Sequence, residues 1–306
     1  MKKPLVSILM NCYNCQKYLE EAIQSVYSQS YTNWEIIFID NCSTDKSKTI
    51  VDKFDSKIKY YKTPYNMNLC NARVFAKEFI YGEFFCVLDT DDLWMPDKLE
   101  KQIKVMLKND DIGIVYSNTI YFNDLGVERL AYDKKMPSGK IFEELLSNYF
   151  FSFETVMVRK SLMDKYKIYF NSKYNVSSDA ELFIKLSYYT QSYYLDKPLA
   201  KWRYGHGSES DRSLCLFPRE YEVLLKDLSN MIENFEIEYK TSIQKLQTKI
   251  NNMYGMCEWS RNNKSKSRQY LSNAIKKEKK YLIPYILSFF MSYTNYVNLR
   301  RKFKKL

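Results

Sequence analysis

Glycine is scarce in this sequence, and the glycine-rich motifs that cradle phosphates are missing. The 306 residues contain only seven glycines. No G-x-G-x-x-G follows the first strand-like segment, which disfavours a dinucleotide-binding dehydrogenase. No G-x-x-x-x-G-K-[ST] occurs either, which argues against a P-loop NTPase. If phosphates bind to this chain, we therefore expect a metal ion rather than a glycine-rich loop to hold them.

A disulfide framework, a signal peptide and a membrane-spanning run are also lacking. The seven cysteines are scattered, and the C-x-x-C at 12–15 has no second pair to complete a zinc site. A thioredoxin-like motif stays open as the other interpretation of that pair. Without a signal peptide we expect a reducing cytoplasm. The apolar segment at 281–291 is shorter than the roughly 20 residues that span a bilayer.

Positive charge is concentrated at one end of the chain. The formal net charge is +11, and residues 276–306 alone hold nine Lys or Arg and one Glu. Such confinement to a tail disfavours a nucleic-acid-binding protein. The lysines and arginines flank the aromatic segment 281–291, a pattern typical of a segment lying in an anionic membrane interface. A solvated basic end on an ordinary packed helix is the alternative.

Strand-like and helix-like segments alternate about four times in the first 110 residues. Buried strands are predicted at 6–10, 35–40 and 84–88 and a further strand at 58–61, with helices at 17–29, from a cap at Ser43 or Asp45 to about 54, at 72–80 and at 96–108. Another strand is predicted just beyond them, at 112–116. This alternation is typical of an α/β fold with a parallel sheet and helices on both faces. The length predicts one sizeable α/β domain and something smaller.

Three carboxylates end the most apolar of these strands. Asp89, Asp91 and Asp92 directly follow the segment 84–88. Carboxylates this close repel one another by about 1 kcal/mol per pair at 4 Å even in water, and a hard divalent cation relieves the repulsion because it takes oxygen ligands. The carboxyl ends of parallel strands are also where open α/β sheets bind ligands. The alternative is that Asp92 caps the next helix and the other two are solvated turn residues.

Several motifs in sequence order resemble the nucleotide-binding half of the family 2 glycosyltransferases, which have the GT-A fold. They are V-S-I-L-M-N-C-Y-N at 6–14, W-E-I-I-F-I-D-N-C-S-T-D at 34–45, A-R at 72–73, G-E-F at 82–84 and L-D-T-D-D-L-W-M-P-D-K-L at 88–99. Asn11-Cys12 departs from the Pro-Thr that is frequent in the family. The resemblance covers about 4–210 and implies a Rossmann-like, mostly parallel sheet. We divide the chain into a GT-A domain, 1–215, and a helical C-terminal region, 216–306.

This resemblance implies a role for each matching residue of the nucleotide-binding half. Tyr13 would stack on uracil, and Asp40 would accept a hydrogen bond from its N3–H group. Arg73 would contact the base or the phosphates. Asp89 would hold the ribose, and Asp91 of the D-x-D motif would bind Mn²⁺ or Mg²⁺ bridging the diphosphate. For Tyr13 and Asp40 the alternatives are a packed aromatic and a helix cap.

On the acceptor side, two segments continue the resemblance. The segment 177–186, S-S-D-A-E-L-F-I-K-L, resembles the helix start that reads E-D-x-[DE]-L-W-[IL]-[RK]-L in the family. The segment 153–160 resembles the strand and turn that precede this helix. Asp179 matches the residue that serves as base, which would take the proton of the acceptor hydroxyl. Ser178 stands where the family has Glu, which puts the support of the base in doubt. The alternative is that Asp179 merely caps the helix 180–189.

The segment K-W-R-Y-G-H-G-S-E-S at 201–210 resembles the Y-R-x-H-x-x-S-x-S of the family. Arg203 would clamp a phosphate. His206, the only histidine, would bind the metal or the diphosphate, although it lies one residue late relative to the family spacing. A structural histidine is the alternative.

Beyond the resemblance, residues 219–254 contain no Gly or Pro and carry one apolar stripe at helical spacing. We expect this segment to pack on its own domain or to form a helical hairpin. The alternative is an intermolecular coiled coil, through which the protein would form a homo-oligomer.

Together, the motifs and the family that they resemble predict a metal-dependent, inverting hexosyltransferase. It would move a sugar from a UDP-sugar to a hydroxyl of a glycan or lipid-linked acceptor, in surface polysaccharide synthesis, as a peripheral protein on the inner face of the cell membrane. Two alternatives stay open. One is a transferase that uses another nucleotide sugar. The other is a non-catalytic binding or scaffold protein, for which Ser178 is the only hint.

Overall fold

The structure is a computed structural model that describes residues 3–205 and 213–303. These residues divide into two units. The first runs to Phe142 and resumes at Tyr149, and the second holds 143–148 together with the described residues from 213 onwards. His206 lies outside the described residues.

Nine strands of the first unit form a single mixed sheet in the order β3-β2-β1-β4-β8-β6-β9-β5, with β7 paired to β6. The strands are β1 Val6–Cys12, β2 Trp34–Asp40, β3 Ile58–Lys62, β4 Phe84–Val87, β5 Leu93–Trp94, β6 Ile112–Phe122, β7 Glu128–Leu130, β8 Met157–Arg159 and β9 Gln191–Arg203. Every residue of β1 and β4 is buried. A strand buried on both faces needs an apolar side chain at nearly every position, which these runs supply.

Parallel pairing holds for β1 to β4, as predicted, since β1 pairs in parallel with both β2 and β4. Beyond β4 the sheet is mixed: β8 lies antiparallel between β4 and β6, while β6 pairs in parallel with β9 over ten register partners, so most of the paired residues in the sheet are parallel. The α/β fold class itself is confirmed.

Seven helices lie between residues 19 and 189. Five of them were predicted, and their ends differ from the predicted ones by a few residues. The seven helices are α1 Leu19–Tyr27, α2 Ser47–Val51, α3 Leu69–Phe75, α4 Lys98–Met106, α5 Phe142–Ser147, α6 Lys160–Tyr166 and α7 Ser178–Tyr189. The predicted helix 72–80 begins earlier, because Asn68 caps it by accepting a hydrogen bond from the Asn71 amide. Neither Ser43 nor Asp45 is the N-cap of α2, where Lys46 precedes the first helical residue.

The second unit is helical. Besides α5 from Glu143 onwards, its helices are α8 Phe217–Met231, α9 Phe235–Glu238, α10 Lys240–Ser260, α11 Lys264–Ile275, α12 Leu282–Phe290 and α13 Tyr293–Phe303. The apolar stripe at 219–254 is therefore not one helix. It breaks near Asn234, whose φ of 55° is left-handed and ends a right-handed helix. Helix α8 packs back on α10, so the hairpin interpretation is confirmed. The homo-oligomer stays a prediction.

One disulfide corrects the expectation of scattered free thiols. Cys215 and Cys257 are bonded, with their Cα atoms 5.0 Å apart and a sequence separation of 42. The α8–α10 hairpin brings these two positions together, which a count of cysteines cannot foresee. Within residues 3–205 and 213–303, no helix has the length and apolar character needed to cross a bilayer.

Candidate active site

The loops that follow β1 and β2 are tied to one another at the carboxyl edge of the sheet. Cys12 and Asp40, the last residues of the two strands, are register partners. Beyond them the amide of Asn14 donates to Ser43 Oγ (3.1 Å), and the Thr44 amide donates to Asn14 Oδ1 (2.8 Å). Tyr13 is 53% exposed on this braced loop. An exposed aromatic ring on a fixed loop can stack on a planar ligand, so the alternative of a packed aromatic does not hold.

Asp40 is almost fully buried, with 2% exposure. Its Oδ1 accepts a hydrogen bond from the Ser43 amide (2.7 Å), and its Oδ2 accepts one from the Tyr60 hydroxyl. The carboxylate therefore shapes the turn after β2 and caps no helix. A uracil N3–H group would have to share an oxygen with one of these donors, which a carboxylate allows because it has about four lone-pair sites.

A buried arginine connects the D-x-D turn with the start of α7. Arg73 is 6% exposed. Its Nη2 lies 3.2 Å from Asp89 Oδ1, and its Nη1 donates to Ser178 Oγ at 3.1 Å. The guanidinium also lies 4.6 Å from the ring centroid of Phe153. Two segments that are far apart in sequence, and that the resemblance assigns to donor and acceptor, are thus held by one side chain.

Asp179 lies in the first turn of α7, next to Ser178. Its Oδ2 accepts a hydrogen bond from the Tyr149 hydroxyl at 2.9 Å. Burial raises the pKa of Asp179, while the charge of Arg73 and the Tyr149 hydrogen bond act in the opposite direction. A carboxyl with a raised pKa that still has groups favouring its ionised form suits a general base.

Asp92 has no role as a helix cap, because α4 begins at Lys98 behind Asp97. It is 1% exposed, and its Oδ1 accepts a hydrogen bond from the Arg203 amide at 2.8 Å. Burial and the nearby charge of Glu154 raise its pKa. Burial likewise raises the pKa of Glu154, whose Oε1 accepts from Thr119 Oγ1 at 2.7 Å. Two buried carboxyls thus lie behind the turn, where their neutral forms are favoured.

Arg203 is bound by protein groups on every side. Its Nε donates to the main-chain carbonyl of Asp91 (2.9 Å), and its Nη1 donates to Asp124 (2.7 Å). Its Nη2 pairs with Glu21. The side chain is 6% exposed. In this arrangement the guanidinium holds the D-x-D turn by its backbone and is not directed at a phosphate.

Metal ligands are few in this region. Across residues 3–205 and 213–303, no three His, Cys, Asp or Glu side chains converge as a metal site. Asp91 lies half-buried at the turn, and a Mg²⁺ or Mn²⁺ ion needs only one or two carboxylates when substrate phosphates complete its shell. The residues present therefore fit an ion that binds together with its substrate, and not a preformed cage.

Cys12 and Cys15 are three positions apart in sequence, and their thiols interact in the structure. A hydrogen bond from the Cys15 thiol lowers the pKa of Cys12 to about 7, and the same contact raises the pKa of Cys15. The pair precedes α1 by four residues, and neither zinc nor thioredoxin-like chemistry gains further support from the surrounding groups.

Five residues around the site were not found from the sequence. Tyr149 holds the candidate base, Glu154 lies beside Asp92, and Glu21 and Asp124 bind Arg203. Lys98 is fully buried, with its Nζ 4.0 Å from the Trp94 ring centroid, and burial lowers its pKa. Lys98 and Glu154 lie within segments that resemble the family, but neither was expected to belong to the site. These residues reach the site through contacts with residues distant in sequence, which no local sequence pattern predicts.

Comparison with known proteins shows the family of this chain. The model of a family described as "Glycosyl transferase family 2" matches residues 7–167. A relative from Escherichia coli, the UDP-Glc:α-D-GlcNAc-diphosphoundecaprenol β-1,3-glucosyltransferase WfgD, is 35% identical over 171 residues, which is 55% of this chain and 66% of that protein. The chain thus spans less than two thirds of the length of this relative.

Two solved structures share the fold. Residues 1–349 of TarS from S. aureus, in complex with UDP-GlcNAc, align with a TM-score of 0.65 at 20% identity, over 89% of this chain and 80% of that one. The mannosyltransferase PcManGT from Pyrobaculum calidifontis, in complex with GDP-Man and Mn²⁺, aligns with a TM-score of 0.63 at 14% identity, over 98% and 85%. At these identities the likeness concerns the fold.

Proposed function

This chain belongs to glycosyl transferase family 2, and we propose that it transfers a sugar from a UDP-sugar to a hydroxyl of a glycan or lipid-linked acceptor, with inversion, in surface polysaccharide synthesis. The observation that carries the proposal is the bridge made by Arg73. It joins Asp89, on the donor side, to the helix start that presents Asp179. The names of the E. coli relative and of the TarS complex support a UDP-sugar donor, and the former supports a lipid-linked acceptor.

On the donor side, the exposed ring of Tyr13 stacks on the base, a contact worth about 1–3 kcal/mol. Asp40 accepts a hydrogen bond from uracil N3–H, and Asp89 contacts the ribose. Arg73 keeps Asp89 in place and supplies positive charge near the diphosphate. These contacts orient the anomeric carbon toward Asp179, and orientation itself contributes much of the rate enhancement.

On the acceptor side, Asp179 takes the proton of the attacking hydroxyl through the oxygen that Tyr149 does not occupy. The hydroxyl attacks from the face opposite the departing nucleotide, so the configuration inverts. General-base assistance of this kind contributes about 10²–10⁴-fold. Asp179 is the single catalytic residue in this scheme, and Tyr149 is a positioning residue.

Asp91, with His206 as a further candidate ligand, would hold Mn²⁺ or Mg²⁺. When bound, the ion neutralises negative charge on the diphosphate leaving group. The Mn²⁺ bound with GDP-Man in the P. calidifontis mannosyltransferase supports the use of a metal. Arg203 acts here by fixing the carbonyl of Asp91 and thereby the turn, which replaces the phosphate clamp expected from its charge.

The test is a donor-binding and turnover comparison in the purified chain. Asp179→Asn should bind UDP with unchanged affinity in calorimetry and lose about 10²–10⁴-fold in transfer or donor hydrolysis. Asp133→Asn removes an equal charge from an exposed position and serves as the control. A variant at position 179 that keeps most of the wild-type kcat would refute the assignment of the base.

We also propose that the second unit contacts an anionic membrane surface from the cytoplasmic side. Helix α12 exposes one row of large apolar side chains, namely Leu282, Ile283, Ile286, Phe289 and Phe290. Four exposed lysines precede it within 276–280. Apolar contact and attraction to anionic lipid reinforce one another in such a segment, at about 1 kcal/mol per basic residue near the surface.

The membrane test uses substitutions, because deleting the tail would uncover the core of the second unit. Tyr296 packs on Trp259, with ring centroids 4.8 Å apart. The double variant Ile283→Gln/Phe290→Gln should no longer sediment with phosphatidylglycerol-containing vesicles. Leu125→Gln, an equally exposed apolar position of the first unit, should sediment like the wild type. Equal sedimentation of both variants, or none of the wild type at low salt, would exclude a membrane role for this face.

A further inference from the structure

A groove of about 820 Å³ opens on the second unit. It is formed by α8, the second half of α10 and the start of α11, and all of its lining residues belong to that unit. The Cys215–Cys257 disulfide lies in its wall and ties the segment before α8 to α10. The volume falls within the range of about 300–1,000 Å³ that small-ligand sites occupy. None of the residues assigned to donor binding or catalysis lines it.

Two stacked tyrosines contribute aromatic surface to the lining of the groove. The rings of Tyr254 and Tyr270 lie 5.0 Å apart at an interplanar angle of 22°. The Tyr254 hydroxyl donates to Glu222 Oε2 at 2.7 Å, so the orientation of the pair is fixed. Buried Ile250 adds to the apolar lining. The C–H face of a pyranose ring packs on such a surface, while its hydroxyl groups find partners at the polar rim.

Four cations from three segments surround this surface. Arg261 and Lys266 lie 4.0 Å and 3.6 Å from Glu258, the carboxylate that their charges balance. Arg219 and Lys226 differ, since neither has a carboxylate within ion-pair distance among the residues that the structure describes. Both extend from α8 into the groove lining. Together with Glu222 the lining holds four cations and two carboxylates, so it carries net positive charge.

We propose that this groove is a second binding site, for a saccharide that carries a phosphate or carboxylate group. Tyr254 and Tyr270 contact the sugar face, and Arg219 and Lys226 pair with the anion. Aromatic and cationic groups are both needed, because an exposed ion pair alone contributes only about 0–1 kcal/mol. A site of this kind would hold an anionic glycan while the first unit carries out transfer. The assignment does not depend on the donor or the base proposed above.

The experiment measures saccharide binding by the full chain in calorimetry, with the donor site saturated by UDP. Three probes distinguish the chemistry: glucose 1-phosphate, a hyaluronan tetrasaccharide that carries carboxylates, and neutral maltotetraose. We expect at least one anionic probe to bind and maltotetraose to bind much more weakly. Arg219→Ser/Lys226→Ser should weaken anionic binding about tenfold or more, and Tyr270→Leu should weaken it while leaving thermal stability near that of the wild type.

Lys245→Ser is the matched control, since Lys245 is exposed on α10 outside the groove. Hydrolysis of the donor should be unchanged in every one of these variants, so a failure here is separate from a failure of the proposed transfer reaction. The inference is overturned if no anionic probe binds. It is equally overturned if maltotetraose binds as tightly as the anionic probes, or if the Arg219/Lys226 variant binds like Lys245→Ser.

Discussion

Replacing Tyr149 by Phe removes one hydroxyl group from the site and leaves the surrounding packing in place. The ring contact with Phe151, whose centroid is 6.1 Å away, does not involve that oxygen. The hydroxyl donates to Asp179 Oδ2 at 2.9 Å and lowers the pKa of Asp179 against the effect of burial. Without this hydrogen bond the ionised form of Asp179 is less stable relative to the neutral carboxylic acid, so the pKa of Asp179 rises further.

The size of the effect follows from the hydrogen bond that is lost. A hydrogen bond to a charged group contributes about 1.5–3 kcal/mol, and the lower end of this range sets the smallest effect to expect. Since about 1.4 kcal/mol corresponds to a factor of ten, the ionised fraction of the base should fall about tenfold on the acidic side of the profile. At high pH, where Asp179 is ionised in both proteins, the rates should converge.

The assay is the pH dependence of kcat at saturating donor and acceptor, which reports ionisations in the substrate complex. Tyr149→Phe should move the acidic limb to higher pH and leave most of the plateau. Tyr193→Phe, an exposed position, is the control and should reproduce the wild-type profile. An acidic limb that stays in place or moves to lower pH would refute the reasoning. A plateau lowered about 100-fold or more would instead place Tyr149 in the chemical step.

Three further outcomes are expected. Arg73→Lys keeps the charge but cannot bridge Asp89 and Ser178 with one planar group, so kcat should fall by about tenfold or more while the chain stays folded, as measured by steady-state kinetics with a melting curve as control. Asp91→Asn should abolish the gain in UDP affinity that Mn²⁺ gives in calorimetry; an unchanged gain would remove Asp91 from the metal site. Because burial raises the pKa of Asp92 in the folded state, the free energy of unfolding should fall as pH rises above the unfolded pKa of about 4. Asp92→Asn removes this titration and should make the fall in Tm with pH less steep. An unaltered slope would contradict a raised pKa for Asp92.

The sheet was predictable where burial alone decides the structure. The strands β1, β2 and β4 were placed within two residues, because a run buried on both faces leaves a continuous apolar signature. The C-terminal helices were less predictable. The apolar stripe at 219–254 continues through the break at Asn234, because each helix of the hairpin buries an apolar face and the spacing of these residues shows no interruption at the turn. Periodicity reports which side chains are buried and does not report the turn between them.

The site was predictable as a set of residues and not as a set of contacts. Asp89 and Asp179 come from linked motifs, but the arginine between them reaches Ser178 across 105 positions of sequence. Arg203 shows the same limit more sharply. Its charge suggested a phosphate partner, yet Glu21, 182 positions away, and Asp124 bind its guanidinium. The identity of a side chain fixes what it can bind, and only the fold decides which partner reaches it.

Ser178 illustrates how such a partner changes the interpretation of a departure from the family pattern. A serine in place of Glu was the only sequence feature favouring a non-catalytic protein. In the structure its Oγ accepts the hydrogen bond from Arg73 Nη1, and the residue is fully buried. A neutral serine accepts one hydrogen bond from the guanidinium without neutralising its charge. The positive charge of Arg73 therefore still stabilises the ionised carboxylates of Asp89 and Asp179. The positive charge of Arg73 therefore acts on the two groups that the proposed reaction uses, and this departure supports catalysis.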